Sequence, residues 1–318
     1  MSTRRQIIAA FSLLALVACS KSSSARRTGE HALLALDWVP EPEFGGFYAA
    51  RESGAFKAEG LDVEIQGGGA GVPVVQMVAS GNAEFGIAGA DEVLAARARG
   101  ADVVPVFAVY QTSPQGIMVH ASRGATTLAE ALSGGTLAIE PGLSYAVFLK
   151  KKIGFDKVKV APYDGGVARF VADGSFAQQC YATSEPLAAR RLGSDPQVFL
   201  VADLGFDPYL GVVITRTSLL RDKPAMVKSF VTGARAGWAA YLADPARANA
   251  VMGKLNRAMD AETFAAAAVE QRRFVESDDT KRFGLGAMTR ARWETLAKQL
   301  VDLGLVDKAD VPELPALD

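Results

Sequence analysis

The sequence predicts an α/β protein of two lobes, each a mainly parallel sheet flanked by helices, with two chain crossings between them. Short apolar runs alternate with helical stretches from residue 31 onward, a pattern typical of βαβ units. The alternation restarts near residue 116, and a connection near 207–215 leads back to the first block. After residue 216 we predict helix after helix, which gives a helical C-terminal tail.

The first lobe begins with a strand and continues in regular alternation. Its strands are short apolar runs, and glycines close its helices. We predict strands at 32–36, 62–65, 85–88 and 103–110, and helices at 47–59, 73–80 and 92–99.

The second lobe repeats this order and the tail follows it. Strands are predicted at 116–120 and 136–139 with helices at 128–132 and 145–153, and 157–161, 167–173, 179–182, 185–192 and 198–201 continue the alternation. A strand at 212–216 precedes helices at 224–242, 245–255, 261–274 and 290–303. We therefore divide the chain into a first lobe at 31–112, a second lobe at 113–206 and a return to the first lobe with C-terminal helices at 207–318.

The N-terminus predicts export. Arg4 and Arg5 precede an apolar run at 7–17, so residues 1–18 have the charged and apolar regions of a signal peptide. The ending LVAC looks like a bacterial lipobox, which would make Cys19 the lipidated first residue, followed by a Ser-rich tether at 19–30. The alternative to lipidation is a soluble secreted protein that is cleaved near Cys19. The alternative to the general export route is the twin-arginine route. We expect a protein on the periplasmic side of the envelope, anchored by its N-terminal lipid.

Composition excludes several function classes. The formal charge of −1 argues against a dedicated nucleic-acid binder, which needs a basic face. With Cys19 lipidated, Cys180 has no disulfide partner and is expected to be a small buried residue. His31 and His120 lie far apart without metal-ligand spacing. We therefore predict no metal, no cofactor and no histidine-based hydrolytic site.

Ligand-binding residues are expected in the loops after the parallel strands, because those loops converge at the carboxyl edge of a sheet. Trp38 follows an acid at a strand end, where an indole can stack on a ligand. Tyr145 and Tyr163 are either stacking residues or core. Asp91 is either a helix cap or a ligand contact, and its carboxylate disfavours an anionic ligand. The predicted contacts from this rule are Asp37, Trp38, Gly89, Asp91, Ser113, Ser144, Tyr145, Tyr163, Thr183 and Glu185.

Two glycine-rich stretches need separate interpretations. The run at 66–71 lies between a strand and a helix, but it lacks the Gly-Lys-Ser/Thr ending of a phosphate loop. We expect it to form a flexible cleft wall whose amides face a ligand. Gly45 and Gly46 are expected to let the loop after Phe44 fold close to Trp38. On the later helix, Phe230, Ala234, Trp238 and Tyr241 form a stripe that is expected to be core.

Five motifs of the chain are informative when taken together: LDWVPEPEFGGFYAARESGAFKAEGLDVEI, VVQMVASGNAEFGIAGADEVLAARARG, QTSPQGIMVH, AIEPGLSYAVFL and TSEPLAARR. They resemble the solute-binding proteins of ABC importers in the family of thiamine-pyrimidine and riboflavin binders, and the resemblance covers nearly all of residues 31–245. It implies a type II periplasmic-binding fold that closes over a small molecule and delivers it to a permease. A monomer is expected.

The resemblance also suggests the ligand class. Pyrimidine binders and the related fungal pyrimidine synthase typically have W-x-P-N-x-x-H, where this chain has Glu41 and Phe44. The synthase's cysteine-rich iron motif is absent as well. These departures imply a neutral or weakly charged heteroaromatic, riboflavin-like or a thiamine-pyrimidine precursor, with Phe44 at the ligand and Asp37, Glu41 or Glu185 accepting hydrogen bonds. The alternatives are a nitrate, sulfonate or taurine binder, a pyrimidine-forming enzyme, and a lipoprotein sensor.

Overall fold

The computed structural model describes residues 29–317. The predicted export signal at 1–18, the lipidation site Cys19 and the tether up to residue 28 lie outside the described residues. Within the described range, ten strands form two sheets of five strands each.

The first sheet combines strands from both ends of the chain. Its members are β1 (Glu30–Ala35), β2 (Leu61–Gln66), β3 (Phe85–Ala88), β4 (Val104–Tyr110) and β10 (Leu210–Thr215), in the order β2-β1-β3-β10-β4. β1 pairs in parallel with β2 and β3, whereas β10 pairs antiparallel with β3 and β4. Four strands therefore point one way, and the returning strand β10 is reversed.

The second sheet has the same plan. Its members are β5 (Gln115–His120), β6 (Thr136–Ala138), β7 (Lys159–Ala161), β8 (Phe176–Tyr181) and β9 (Pro196–Leu200), in the order β7-β6-β8-β5-β9. β6 pairs in parallel with β7 and β8, and β5 pairs antiparallel with β8 and β9. The two-lobed architecture of mainly parallel sheets is confirmed.

Helices flank both sheets and form the C-terminal region. Before β10 they are α1 (Gly45–Ser53), α2 (Ala55–Ala58), α3 (Val74–Ala79), α4 (Ala90–Ala98), α5 (Leu128–Ala131), α6 (Ser144–Ile153), α7 (Ala168–Ala172) and α8 (Glu185–Arg191). The tail contains α9 (Thr217–Asp222), α10 (Pro224–Ala243), α11 (Ala246–Leu255), α12 (Ala261–Glu270), α13 (Arg272–Val275), α14 (Asp278–Phe283) and α15 (Arg290–Asp302).

Several predicted helices were wrong in extent. The helix expected at 47–59 is divided into α1 and α2 by Gly54, whose φ of 83° is left-handed and ends the first helix. The helix expected at 261–274 is divided into α12 and α13 at Gln271. Two short helices, α9 and α14, were not predicted. α14 begins with a cap in which Ser277 Oγ accepts a hydrogen bond from the Thr280 amide at 3.2 Å.

The expected role of Gly45 and Gly46 was also wrong, because both belong to α1 and serve helix packing. A Cβ at Gly45 would lie 2.1 Å from the Tyr241 ring, and one at Gly46 would lie 2.2 Å from Trp238. These glycines let α1 approach α10 closely. The predicted core stripe on α10 is confirmed, since Phe230, Ala234, Trp238 and Tyr241 are all buried. Cys180 is buried and free, as expected.

The two crossings between the sheets meet at one carboxylate. Asp207, in the second crossing, accepts a hydrogen bond from the Ser113 amide of the first crossing at 2.7 Å. Its second oxygen pairs with Arg292 of α15 at 2.9 Å, and the Arg292 guanidinium lies 4.0 Å from the Tyr209 ring centre. Asp207 therefore ties both crossings to the tail. The carboxyl edges of both sheets face this junction, since β4 ends and β5 begins there.

Candidate functional site

The turn after β1 is held in place by the glycine run that follows β2. The Gly68 amide donates to the Trp38 carbonyl at 2.9 Å. A Cβ at Gly68 would lie 2.0 Å from the Leu36 carbonyl oxygen, so only glycine fits there. Gly68 therefore supports the turn, and its amide is hydrogen bonded to the Trp38 carbonyl.

Trp38 differs from the other two tryptophans of the chain. Its side chain is 41% exposed, whereas Trp238 and Trp293 are 0% exposed. A partly exposed indole at a strand end suits stacking on a flat ligand. Its N–H also donates to the Glu41 carboxylate.

Six carboxyl groups from both lobes converge around this turn, and we name them the carboxylate cluster. Electrostatic repulsion acts between the lobes, where Glu41 and Glu43 both interact with Glu185. It also acts within the first lobe, where Asp37 interacts with Glu92. The members are Asp37, Glu41, Glu43, Asp91, Glu92 and Glu185.

Burial dominates the electrostatics of the turn. It raises the pKa of Asp37 to about 7, with a further contribution from the negative charge of Glu92. Burial also raises the pKa of Glu41 to about 7, together with repulsion from Glu185. Hydrogen bonds from Trp38 and from Asn256, whose Nδ2 lies 3.4 Å from Glu41 Oε1, oppose the shift at Glu41.

The other first-lobe carboxyls follow the same rule. Burial, then Glu41 and Asp37, raises the pKa of Glu43 well above its usual range. Burial also raises the pKa of Asp91, which the Ser144 hydroxyl of the second lobe partly offsets. The pKa of Glu92 is raised by burial and by Asp91, although its Oε2 accepts the Gly89 amide at 3.1 Å and caps α4.

The second lobe contributes Glu185 at the start of α8. Its Oε1 accepts a hydrogen bond from the Tyr163 hydroxyl at 2.6 Å, and its Oε2 accepts the Tyr181 amide at 2.7 Å. Burial nevertheless raises its pKa. Two donors thus fix the orientation of the Glu185 carboxylate, and the hydroxyl proton of Tyr163 takes part in one of these hydrogen bonds.

Several residues near the cluster were not predicted. Tyr110 and Tyr181, the last residues of β4 and β8, face each other across the lobes with ring centres 6.4 Å apart. The Tyr110 hydroxyl donates to Gln271 Oε1 at 3.2 Å. The strand-end rule could have found both tyrosines, had it included the final strand residue. Asn256 and Gln271 come from the helical tail, for which the sequence offers no comparable signal.

The structure brings some predicted contacts together and separates others. Asp37, Trp38, Glu41, Gly89, Asp91, Ser144, Tyr163 and Glu185 lie in or beside the carboxylate cluster, and Thr183 hydrogen bonds to Tyr110 next to it. Phe44 and Tyr145 are buried within the cores. The Ser113 hydroxyl is fully buried and bonds to its neighbour Gln115 in the crossing. Phe44 and Ser113 therefore do not enter the functional proposal.

The cluster has no cationic partner among residues 29–317. None of its six members forms an ion pair with Lys, Arg or His in that range. In the same part of the chain, no group of three or more His, Cys, Asp and Glu side chains is arranged to hold a metal ion.

The lobes also meet outside the cluster. Arg191 of α8 pairs with Asp260 at the start of α12, with Nη1 and Oδ1 3.2 Å apart, and it also pairs with Glu262. These ion pairs join the second lobe to the tail. Separately, no helix within the described residues is long and apolar enough to cross a membrane.

Comparisons with known proteins agree with this architecture. The chain is 26% identical over 240 residues to the riboflavin-binding protein RibY of Chloroflexus aurantiacus, an alignment that covers 70% of this chain and 65% of that protein. It is also 26% identical over 229 residues to the yeast 4-amino-5-hydroxymethyl-2-methylpyrimidine phosphate synthase THI13 from Saccharomyces cerevisiae, covering 67% of each chain. The match thus spans less than two thirds of the length of the riboflavin-binding relative.

The fold has solved counterparts. The periplasmic aliphatic sulphonate binding protein SsuA from Escherichia coli superposes with a TM-score of 0.67 and 15% identity, over 90% of this chain and 94% of that one. At that identity the likeness shows the periplasmic-binding-protein fold. A family model described as NMT1/THI5 like matches residues 41–248, more than half of the chain. The chain therefore belongs to the NMT1/THI5-like family.

Proposed function

We propose that this protein is the substrate-binding component of an ABC importer, which captures a small heteroaromatic molecule between its lobes and delivers it to a permease. The observation that carries this proposal is the convergence of Trp38, Tyr163 and carboxylates from both lobes at the carboxyl edges of the sheets. Ligands of open α/β sheets bind at such edges. The family and the name of the riboflavin-binding relative support the ligand class.

In this proposal the protein binds its ligand and catalyses no reaction. The open face of Trp38 stacks on the ligand, the carboxylates accept hydrogen bonds from ring N–H, amino or hydroxyl groups, and closure of the lobes excludes water. The same relatives include pyrimidine phosphate synthases, but Glu41 and Phe44 replace the Asn and His that the fungal motif typically has. We therefore propose a binding protein and no catalytic residue.

An anionic ligand is disfavoured by the site itself. A sulfonate or nitrate would enter a site with six carboxyl groups and no paired cation among the described residues. Each of these carboxyls that is ionised repels an anion, and the repulsion is strong where water is excluded. The sulphonate-binding structure is similar in fold only.

The location of the protein completes the proposal. Export by the signal at 1–18, lipidation of Cys19 and a tether at 19–30 would place the binding lobes at the membrane beside their permease, as a monomer. The lobe limits at 112 and 206 belong to this proposal too, because the crossings at 111–114 and 201–209 connect the two sheets.

A thermal-shift screen tests the proposal. The mature protein is purified and mixed with riboflavin and lumiflavin, with aminopyrimidines, and with sulfonates and nitrate as the competing class. A ligand that binds the folded state raises the melting temperature in proportion to the logarithm of its concentration. We expect heteroaromatics to raise it and anions to leave it unchanged. A rise with sulfonates or nitrate alone would contradict the assignment.

A further inference from the structure

The charge of the ligand can be inferred from the way the carboxylate cluster is supported. Elsewhere in the described chain, several carboxylates are paired with basic side chains, as in Arg292–Asp207 and Arg272–Glu276. Inside the cluster the supporting groups are neutral: the Tyr163 hydroxyl, the Asn256 amide and backbone amides. Neutral donors do not cancel the negative charge that these carboxyls carry when they ionise.

One buried polar atom of the cluster lacks a partner. Asp37 Oδ1 is buried and accepts no hydrogen bond in the structure. A buried acceptor without a partner is costly in a folded protein, and a ligand that supplies a donor would remove that cost.

We propose that the ligand is an aromatic or heteroaromatic cation, whose positive charge lies against Asp37 and its neighbours in the carboxylate cluster. This inference rests on the proposed function and narrows its substrate class. A flat cation also suits Trp38, because an indole face attracts positive charge.

A cation would bind together with a loss of protons from the site. Asp37 and Glu41 have pKa values raised to about 7 by burial and by neighbouring carboxylates. A positive charge at the cluster favours their ionised forms, so binding releases protons and tightens as pH rises through about 7. The other titratable groups that face the cluster from the surrounding elements are Tyr110, Tyr145, Tyr163, Cys180 and Tyr181, and the pKa of each is raised, so they stay neutral.

The experiment uses matched pairs of probes in isothermal titration calorimetry. 3,6-Diamino-10-methylacridinium is a permanent tricyclic cation, and lumiflavin is a neutral tricycle of similar size. The 1-methylnicotinamide cation and nicotinamide form a single-ring pair. Because the cations carry no titrating charge, any pH dependence of their binding belongs to the protein.

We expect the cation of at least one pair to bind at least about tenfold more tightly than its neutral partner at pH 8. Between pH 6 and pH 8 its affinity should rise by up to about tenfold per pH unit for each proton released. Neutral probes should show no such rise. Tighter binding of the neutral member, or a cation affinity that is flat with pH, would overturn the inference.

A variant pair locates the effect. Asp37→Asn keeps the shape of the side chain and removes its charge, so we expect the ratio of cation to neutral affinity to fall by about tenfold or more. Glu59→Gln removes an exposed carboxylate at the end of α2 and should leave the ratio unchanged. Equal losses in both variants would show only a general charge effect and overturn the assignment to Asp37.

The two proposals fail differently. If riboflavin or an aminopyrimidine binds and no cation does, the cation inference is wrong and the importer proposal stands. If neither these neutral compounds nor either cation binds, both are wrong.

Discussion

The segment from Leu36 to Tyr48 has two halves that do opposite things. In the first half, Asp37 has a buried oxygen without a partner and Trp38 is 41% exposed. In the second half, Gly45 and Gly46 fit closely against Tyr241 and Trp238 of α10, in the core of the first lobe. The chain passes from a turn with an unpartnered buried oxygen, our proposed ligand site, to a close-packed helix interface within ten residues.

This contrast separates stability from binding. Packing without voids stabilises the second half, whereas buried carboxyls with raised pKa values destabilise the first half at neutral pH. Sites that bind ligands commonly break rules that cores obey. Substitutions in the two halves should therefore affect different measurements, and the following predictions test that separation from the largest expected effect to the smallest.

Gly46→Val should have the largest effect on folding. The new side chain would overlap Trp238, which a Cβ alone approaches to 2.2 Å, and overpacking of this kind costs about 3 kcal/mol or more. Urea unfolding followed by circular dichroism measures the loss. Gly69→Ala is the matched control, because a Cβ there meets nothing within 4 Å. Equal stability of the two variants would show that the helix contact is not close.

The apo protein should lose stability as pH rises from about 5 to about 8. The folded-state pKa values of Asp37 and Glu41 are about 7, above their ordinary values of 3.8 and 4.5. The folded state therefore holds protons that the unfolded state has already released, and stability falls with pH across this window. Melting temperatures in matched buffers give the slope. Asp37→Asn should make it shallower, and an unchanged slope in that variant would assign the effect elsewhere.

Trp38→Ala should weaken binding with little effect on folding. Loss of a stacking wall costs about 1 kcal/mol, or roughly fivefold to tenfold in affinity, while the half-exposed side chain contributes little to the core. Calorimetry with the compound that gives the greatest stabilisation in the screen measures the first quantity, and urea unfolding measures the second. A large loss of stability with unchanged affinity would reverse the roles of the two halves.

Arg191→Ala should have the smallest effect. The arginine joins α8 to Asp260 and Glu262 through exposed ion pairs, and such pairs contribute about 0–1 kcal/mol. We expect a modest loss of ligand affinity that disappears at high salt, where the wild-type pairs are screened. Titrations at low and high salt check this. A loss that is independent of salt would mean that Arg191 acts by packing.

Much of the fold was predictable because it depends on local patterns. Alternating apolar runs and terminal glycines indicated the strands and most helices, and the reuse of the alternation indicated two lobes. The helix break at Gly54 was missed because glycine is tolerated inside helices, and only its left-handed φ of 83° makes it a break. For α14, the only usable signal in the sequence was the helix-capping residue Ser277.

The site was only partly predictable. Asp37 and Trp38 follow a strand, so topology indicates them. Gly68 was misinterpreted as a ligand-facing glycine because the backbone that it approaches, Leu36–Asp37, is far away in sequence. Asn256 and Gln271 reach the cluster from helices more than 200 residues after β1, and nothing in a single sequence reports such proximity.

The fluorescence of Trp38 tests most directly whether the turn after β1 contacts the ligand. Trp238 and Trp293 are fully buried, so a ligand in the cleft that does not absorb at the emission wavelengths of tryptophan should alter mainly the emission of Trp38. We predict a saturable change in wild-type emission during titration with the most stabilising compound that meets this condition. In Trp38→Phe, which keeps an aromatic face, calorimetry should still detect binding while the emission change disappears. The same saturable change in Trp38→Phe would contradict the proposed site.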